Sequence, residues 1–241
     1  HGLMLPPPKP RHTTNSNHRY HKWKNLIHGF EPMAANQLWA ADITYIMLNN
    51  GDVCYLHLIT DAYSRMIVGW ELADTLRASI TIKALEQAIS QTGGVSLEDL
   101  THHSDRGVQY CCDDYVRMLQ THKIKISMTE DYNPTDNAIA ERANGVIKTE
   151  TVYSRKTFNS LEHARNVIGR FIHFYNYRRP HMSIGYKIPA VVHTETGAQK
   201  KMWKKKNYPK KAYNNGNNGI SLPCRTTGAD DGCNHHTVYS I

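Results

Sequence analysis

The 241-residue sequence contains no run of 18 apolar residues, so no stretch is long and greasy enough to be read as a membrane-spanning helix. Nothing near its start combines a basic head with a short apolar stretch and a small-residue cleavage site, which argues against a signal peptide. The expectation is a soluble, cytoplasmic chain without a membrane partner. A disulfide framework is missing too: the five cysteines are odd in number, and Cys111 and Cys112 are adjacent. Cys224, Cys233, His235 and His236 match no standard zinc spacing and read as incidental residues of a tail. The first residue is His1 rather than Met, and the chain is expected to be the later part of a longer protein. Acid is scarce at both ends. Residues 1–36 hold five Lys/Arg against one acid, and residues 199–241 hold eight against two, whereas residues 37–198 hold sixteen against eighteen. The formal charge of +8 therefore sits on two arms around a slightly acidic body, a distribution suited to a polyanionic partner.

Three domains follow from composition and pattern. Residues 1–36 are a basic, Pro- and His-rich arm; 37–190 form the body; and 191–241 form a basic, Lys-, Asn- and Gly-rich tail expected to lack structure of its own. In the body, "LWAADITYIML" (38–48), "DVCYLHLITDAYS" (52–64) and "RMIVGWEL" (65–72) read as three strands of an antiparallel meander. A helix over 78–90 places Ala78, Ile82, Leu85 and Ile89 on one face. A short strand over 100–104, a helix near 112–121 and a strand over 123–128 come next. Asn159 and Glu162 form a capping-box pattern for a helix of roughly 160–178, which Pro180 ends. The alternation of strands and helices predicts a mixed α/β domain with helices packed on a central sheet.

Residues 133–150, "NPTDNAIAERANGVIKTE", read as a helix with a turn before it, Thr135 or Asp136 serving as N-cap. At about 100° per residue, Asn137, Asn144 and Lys148 cluster around Glu141, while Ile139, Ala143, Val146 and Ile147 fall on the other side. Taken alone, this is an amphipathic helix with a solvated polar face. Two other carboxylates change the weighing. Asp42 is embedded in an apolar strand, where an unpaired charge is costly. Asp105 lies where a strand runs out into Arg-Gly, the carboxyl-end position at which α/β sheets commonly place ligands. Mg²⁺ takes oxygen ligands and keeps several waters, so three such carboxylates can hold two ions for in-line displacement at phosphorus.

The blocks "LWAADITYI", "HHSDRGVQY" and "NPTDNAIAERANGVIKTE", in this order, resemble the catalytic blocks of DDE transposases and retroviral-type integrases. Thirty-five residues (106–140) separate Asp105 from Glu141, and Lys148 follows Glu141 by seven, as in the insertion-sequence transposases of the IS-three family (the OrfB product). "DAYSRMIVGW" (61–70) and "YNYRRPHMSIGYKIPA" (175–190) resemble further blocks of that family, so the likeness covers residues 20–190.

This resemblance implies a ribonuclease H-like fold with a mixed five-stranded sheet flanked by helices. It implies Asp42, Asp105 and Glu141 as catalytic residues and ligands of two Mg²⁺ (or Mn²⁺) ions. Lys148, Asn137, Asn144, Arg106 and Gln109 become candidate DNA contacts, and Gly145 a point of close approach by DNA backbone. The implied reaction is nicking at a transposon end followed by 3′-hydroxyl strand transfer into target DNA. Implied partners are double-stranded DNA and further copies of the chain assembled on it, in a bacterial cytoplasm at the nucleoid. The rivals are a ribonuclease H-like nuclease that only hydrolyses and a catalytically silent DNA-binding remnant. Asp61 is the competing first ligand, His103 reads as orienting the site or as a structural histidine, and Tyr110, Trp39 and Trp70 each read as core or as substrate contact.

Overall fold

Alternation along the first strand sets the architecture. The computed structural model describes residues 15–130, 137–152 and 158–199. Within β1 (Leu38–Met47), Trp39, Ala41 and Ile43 point to one side of the sheet, and Asp42 and Ile46 to the other, as a period of two requires. β1 pairs antiparallel with β2 (Val53–Asp61), which pairs antiparallel with β3 (Ile67–Ala73). On its other edge β1 pairs parallel with β4 (Thr101–Ser104), and β4 pairs parallel with β5 (Lys125–Met128). The sheet order is β3-β2-β1-β4-β5, the mixed five-stranded sheet expected.

Each face carries its own core. On the Trp39 side, the sheet packs against α1 (Ala78–Gln91) and α3 (Asp113–Thr121), with the short α2 (Val108–Cys111) between β4 and α3. On the other side, Ile46, Leu56, Leu58 and Leu72 pack against α4 (Ala138–Ile147) and α5 (Leu161–Tyr177). Opposite Ile59 and Thr60 stand Gly69 and Ile67, so Val68 is an extra residue and β3 changes face there.

Two helix faces differ from those expected. α1 buries Thr81, Ala84, Leu85 and Ala88, with Ile82 and Ile89 only half-buried. The cause is close approach. A Cβ at Gly69 would lie 2.1 Å from the Ala84 carbonyl oxygen, so the helix turns its small residues to β3. At α5, the cap is Ser160, which accepts from the His163 N–H at 3.1 Å, one residue later than the Asn159–Glu162 pattern suggests.

Both ends of the body are tied down further than composition implied. The Val108 N–H donates to the Asn15 carbonyl at 3.1 Å, the Leu26 N–H to Ser127 Oγ at 2.8 Å and the Asn25 N–H to Glu130 Oε1 at 2.9 Å. Residues 15–26 therefore run beside β5 and the Asp105 loop. After α6 (Pro189–Val192), Ala34 bridges Thr196, and the Gly197 N–H donates to the Met33 carbonyl at 2.7 Å. Ordered contact thus passes position 190, where the tail was expected to begin. The expected caps Thr135 and Asp136, the Cys224–His236 segment and the tail from residue 200 lie outside the described residues.

Candidate active site

The parallel pairing of β1 and β4 brings two carboxylates together. Ala40 stands opposite His103 in the ladder; continued by two residues, that register sets Asp42 level with Asp105. Neighbouring strands are about 4.8 Å apart. Asp42 is half-buried, and its carboxyl is pushed up to about 7, first by burial and next by the charge of Asp105; Glu141 adds a smaller push in the same direction. Hydrogen bonds from Asn144 and from the Ile43 backbone pull the other way. Asp105 is half-buried, and its Oδ1 accepts from the Gly107 N–H at 2.9 Å, which fixes the turn that carries it.

Glu141 lies on the exposed side of the first turns of α4. That helix is rotated relative to the expected apolar stripe: Ala140, Ala143, Asn144 and Ile147 are buried, and Ile139 and Val146 are only half-buried. The rotation has a polar cause. Asn144 Nδ2 donates to Asp42 Oδ2 at 2.8 Å, and Asn137 Nδ2 donates to the Ala41 carbonyl at 3.1 Å. Two amides pin α4 to β1 across the site. Glu141 sits at the rim of this buried face, close enough for its charge to reach Asp42.

Among the described residues, no three His, Cys, Asp or Glu side chains form a ready-made metal cage. Like charges in low dielectric resist closer approach without a cation. The donor set nevertheless suits a hard divalent ion. Asp42 and Asp105 offer carboxylate oxygens, and Asn144 Oδ1 is buried without a hydrogen bond among the described residues, an acceptor that a metal-bound water would satisfy.

Lys148 begins a π-helical turn, Lys148–Val152, that extends α4. Its Nζ lies 4.2 Å from the centre of the Tyr45 ring; burial lowers its proton affinity and the charge of Asp42 raises it. It therefore stands near Asp42, with one cation on the rim of a site rich in anions. Arg106 is half-buried beside Asp105.

Three candidate DNA contacts are placed otherwise than expected. The side chains of Asn137 and Asn144 face β1 rather than solvent, because Asp42 and the Ala41 carbonyl need donors there. Gln109 is buried, its Nε2 donating to the Leu76 carbonyl at 3.1 Å. Gly145 is exposed, and a Cβ there would meet nothing within 4 Å, which leaves room outside the helix.

The remaining rivals take structural parts. Asp61 is fully buried and accepts from the Asn36, Tyr63 and Ser64 N–H groups and the Ser64 hydroxyl, so it is consumed in shaping the β2–β3 turn. His103 bonds Ser127 Oγ at 2.8 Å inside the sheet. Tyr110 and Trp39 are core residues, and Trp70 lies against Gly169 of α5. Glu150 pairs with Arg179. Sequence reasoning missed the two amide staples because a helical wheel places polar residues outward by default.

Comparison with known proteins agrees with this architecture. Residues 32–134 and 122–189 each match a model of the integrase core domain. The chain is 39% identical over 184 residues to an insertion element IS600 protein of Shigella sonnei, covering 76% of this chain and 66% of that protein. It is 32% identical over 164 residues to transposase InsF of insertion sequence IS3A from Escherichia coli K12, covering 67% and 56% respectively. It spans 62% of the length of the mycobacterial IS986/IS6110 protein, at 36% identity. Among solved structures, the HTLV-2 integrase catalytic core domain in complex with magnesium superposes with a TM-score of 0.53 at 20% identity, covering 68% of this chain and 99% of that one. The integrase in a simian T-cell lymphotropic virus intasome gives 0.59 at 19% identity, covering 80% and 67%. At such identity the likeness shows the fold.

Sheet order, helix placement and these matches define a ribonuclease H-like integrase core. The chain belongs to the DDE transposases of the IS3 type.

Proposed function

We propose that Asp42, Asp105 and Glu141 form the active site of DNA transposition: nicking at the end of an insertion sequence and joining of the exposed 3′-hydroxyl to a second phosphodiester. The observation that supports this reading is the register that sets Asp42 level with Asp105 at the end of β4, with Glu141 in electrostatic reach of Asp42. The three side chains would hold two Mg²⁺ or Mn²⁺ ions. When bound, such ions activate the attacking oxygen and stabilise the leaving one.

The chain's own residues do the positioning. Asn144 and the Ile43 backbone N–H hold the Asp42 carboxyl in place beside Asp105. The Gly107 N–H fixes Asp105 in the same way. Lys148, steadied on Tyr45, supplies a point charge for a phosphate that enters beside the carboxylates. Arg106 and the basic residues 15–26, which run alongside, extend that positive path. Each chain carries one such site and two ends must be joined to target DNA, so copies are expected to assemble on DNA.

The test is Glu141→Gln assayed on intact and pre-nicked element ends with Mg²⁺ and with Mn²⁺. Nicking and strand transfer should both fall at least about a thousandfold, or about 4 kcal/mol of transition-state stabilisation, while DNA binding is retained. Activity close to that of the parent chain at ordinary metal concentration would refute the three-carboxylate reading. Strand-transfer products from the parent chain, rather than cleavage alone, separate it from a hydrolytic nuclease.

A further inference from the structure

The other side of α4 carries a second constellation that the carboxylate reading does not use. A cavity of about 600 Å³ opens between α4, the end of α5 and residues 180–186. Three guanidinium groups, from Arg65, Arg142 and Arg179, line it, although they come from three distant parts of the chain. All three act electrostatically on the Tyr175 hydroxyl and on the His181 ring in its wall, so they converge. Ile139 and Val146 of α4 supply an apolar lining beside them.

The positive charge is incompletely matched. Glu150 faces Arg179, whose Nε lies 3.1 and 3.2 Å from its two carboxylate oxygens. Asp61 attracts Arg65, but four donors already occupy the Asp61 carboxylate. Arg65 Nη1 is buried and makes no hydrogen bond among the described residues. A buried guanidinium N–H left without an acceptor is costly. The backbone of Arg65 is also held at φ +67°, a conformation that L residues seldom adopt. Burial keeps His181 neutral at ordinary pH, so the ring adds a polar atom and no competing charge. Strain, an orphaned donor and converging cations together describe an anion site.

We propose that this pocket holds one backbone phosphate of an unpaired DNA strand against Arg65, Arg142 and Arg179, with the attached nucleoside against Ile139 and Val146. The size decides against a duplex: about 600 Å³ lies within the range of sites for single small ligands and cannot enclose a base pair with its backbones. Position decides for a strand of the DNA being processed. The pocket is lined by Ala138, Ile139, Arg142 and Val146 of the helix that carries Glu141, so it lies within about one helix diameter, roughly 10 Å, of that carboxylate. A strand leaving the carboxylates thus reaches the pocket within a few nucleotides. The inference rests on the strand-transfer reading for the identity of its ligand.

The test uses the full chain without divalent metal, so that no cleavage occurs. Binding of a blunt duplex and of the same duplex with a four-nucleotide unpaired extension is followed by fluorescence anisotropy across a salt series. The chain should prefer the extended DNA about tenfold. Arg142→Gln, an exposed position that leaves packing intact, should erase most of that preference and lower the salt slope by about one. Arg65→Gln should act in the same direction, and Arg65→Lys, which retains the charge, should restore part of it. Free dTMP should compete only at millimolar concentration.

A parent chain that binds both DNAs equally, or an Arg142→Gln variant that keeps the parent's full preference for the extended DNA, would overturn the proposal. Competition by dTMP at micromolar concentration would also overturn it, making the pocket a free-nucleotide site. Glu141→Gln separates the two readings: its preference for extended DNA should persist because the pocket does not include the carboxylate. Should Glu141→Gln remain active while Arg142→Gln loses the preference, the three-carboxylate reading fails and the pocket stands.

Discussion

Replacing Asp42 by Asn should stabilise the metal-free protein while abolishing its chemistry. The folded chain holds a proton on Asp42 up to about pH 7, whereas the ordinary carboxyl releases it near 3.8. Between these values the folded state binds more protons than the unfolded state, so stability falls as pH rises through this window and levels off above it. At about 1.4 kcal/mol for each tenfold change in proton affinity, the full displacement is worth roughly 4 kcal/mol. Asp42 is only half-buried, and water on the open side of the site reduces the cost, so about 2 kcal/mol is the working figure. Asn has the same shape, keeps an oxygen for the Asn144 amide and carries no charge to desolvate or to repel Asp105.

The assay is thermal unfolding of both proteins in EDTA from pH 4 to pH 8. At about 2–4 °C per kcal/mol for a chain of this size, Asp42→Asn should melt about 4–8 °C higher at pH 8. The gap should shrink toward pH 4, where the folded carboxyl is protonated and the unfolded one is nearly half protonated. Adding Mg²⁺ at pH 8 should narrow the gap from the other side, because only the intact site gains stability by binding. A variant no more stable than the parent at pH 8, or a gap independent of pH, would refute the claim that Asp42 and Asp105 are held together at a cost.

Asn144→Ala should weaken Mn²⁺ binding about tenfold to a hundredfold, read by calorimetry, because the donor that orients Asp42 is lost. Lys148→Ala should leave Mn²⁺ binding unchanged and lower strand transfer about tenfold; with one contact to the Tyr45 ring lost, stability should change by no more than about 1 kcal/mol. Gly69→Ala, whose new Cβ would lie 2.1 Å from the Ala84 carbonyl oxygen, should force α1 off the sheet and cost at least about 2 kcal/mol in urea unfolding.

The sheet was legible because its strands announce themselves locally. Alternation in "LWAADITYI" and the turns after Asn49 and around Ser64 fix β1, β2 and β3 without any knowledge of partners. The position of Asp105 at the end of β4 was legible for the same reason. What the pattern does not carry is the destination of a polar side chain. Asn144 looks like a surface residue until Asp42, 102 positions earlier, is seen to need its amide. The buried face of α1 likewise depends on Gly69, a residue of another element. The docking of residues 15–26 rests largely on backbone groups, which carry no side-chain signature, with His18 on the Arg106 carbonyl and Trp23 against the core as the side-chain contributions.

The amide staples also bear on why the third carboxylate of the proposed site would be a Glu. Asp42 and Asp105 are carried by neighbouring strands, whose spacing the backbone ladder fixes. α4 is held to β1 by Asn137 and Asn144, one turn before Glu141 and one turn after it, so the helix cannot roll to deliver its carboxylate. The carboxylate must then travel on the side chain alone. Glu has one more rotatable methylene than Asp and can swing from the exposed rim toward the strand pair, whereas Asp at the same place would stop short. In the proposed site, a fixed pair and a swinging third ligand would also limit the repulsion in the metal-free state, since the exposed Glu141 would stay solvated until a cation drew it in. The site is thus rigid where the sheet can bear the strain and adjustable where water can share the charge.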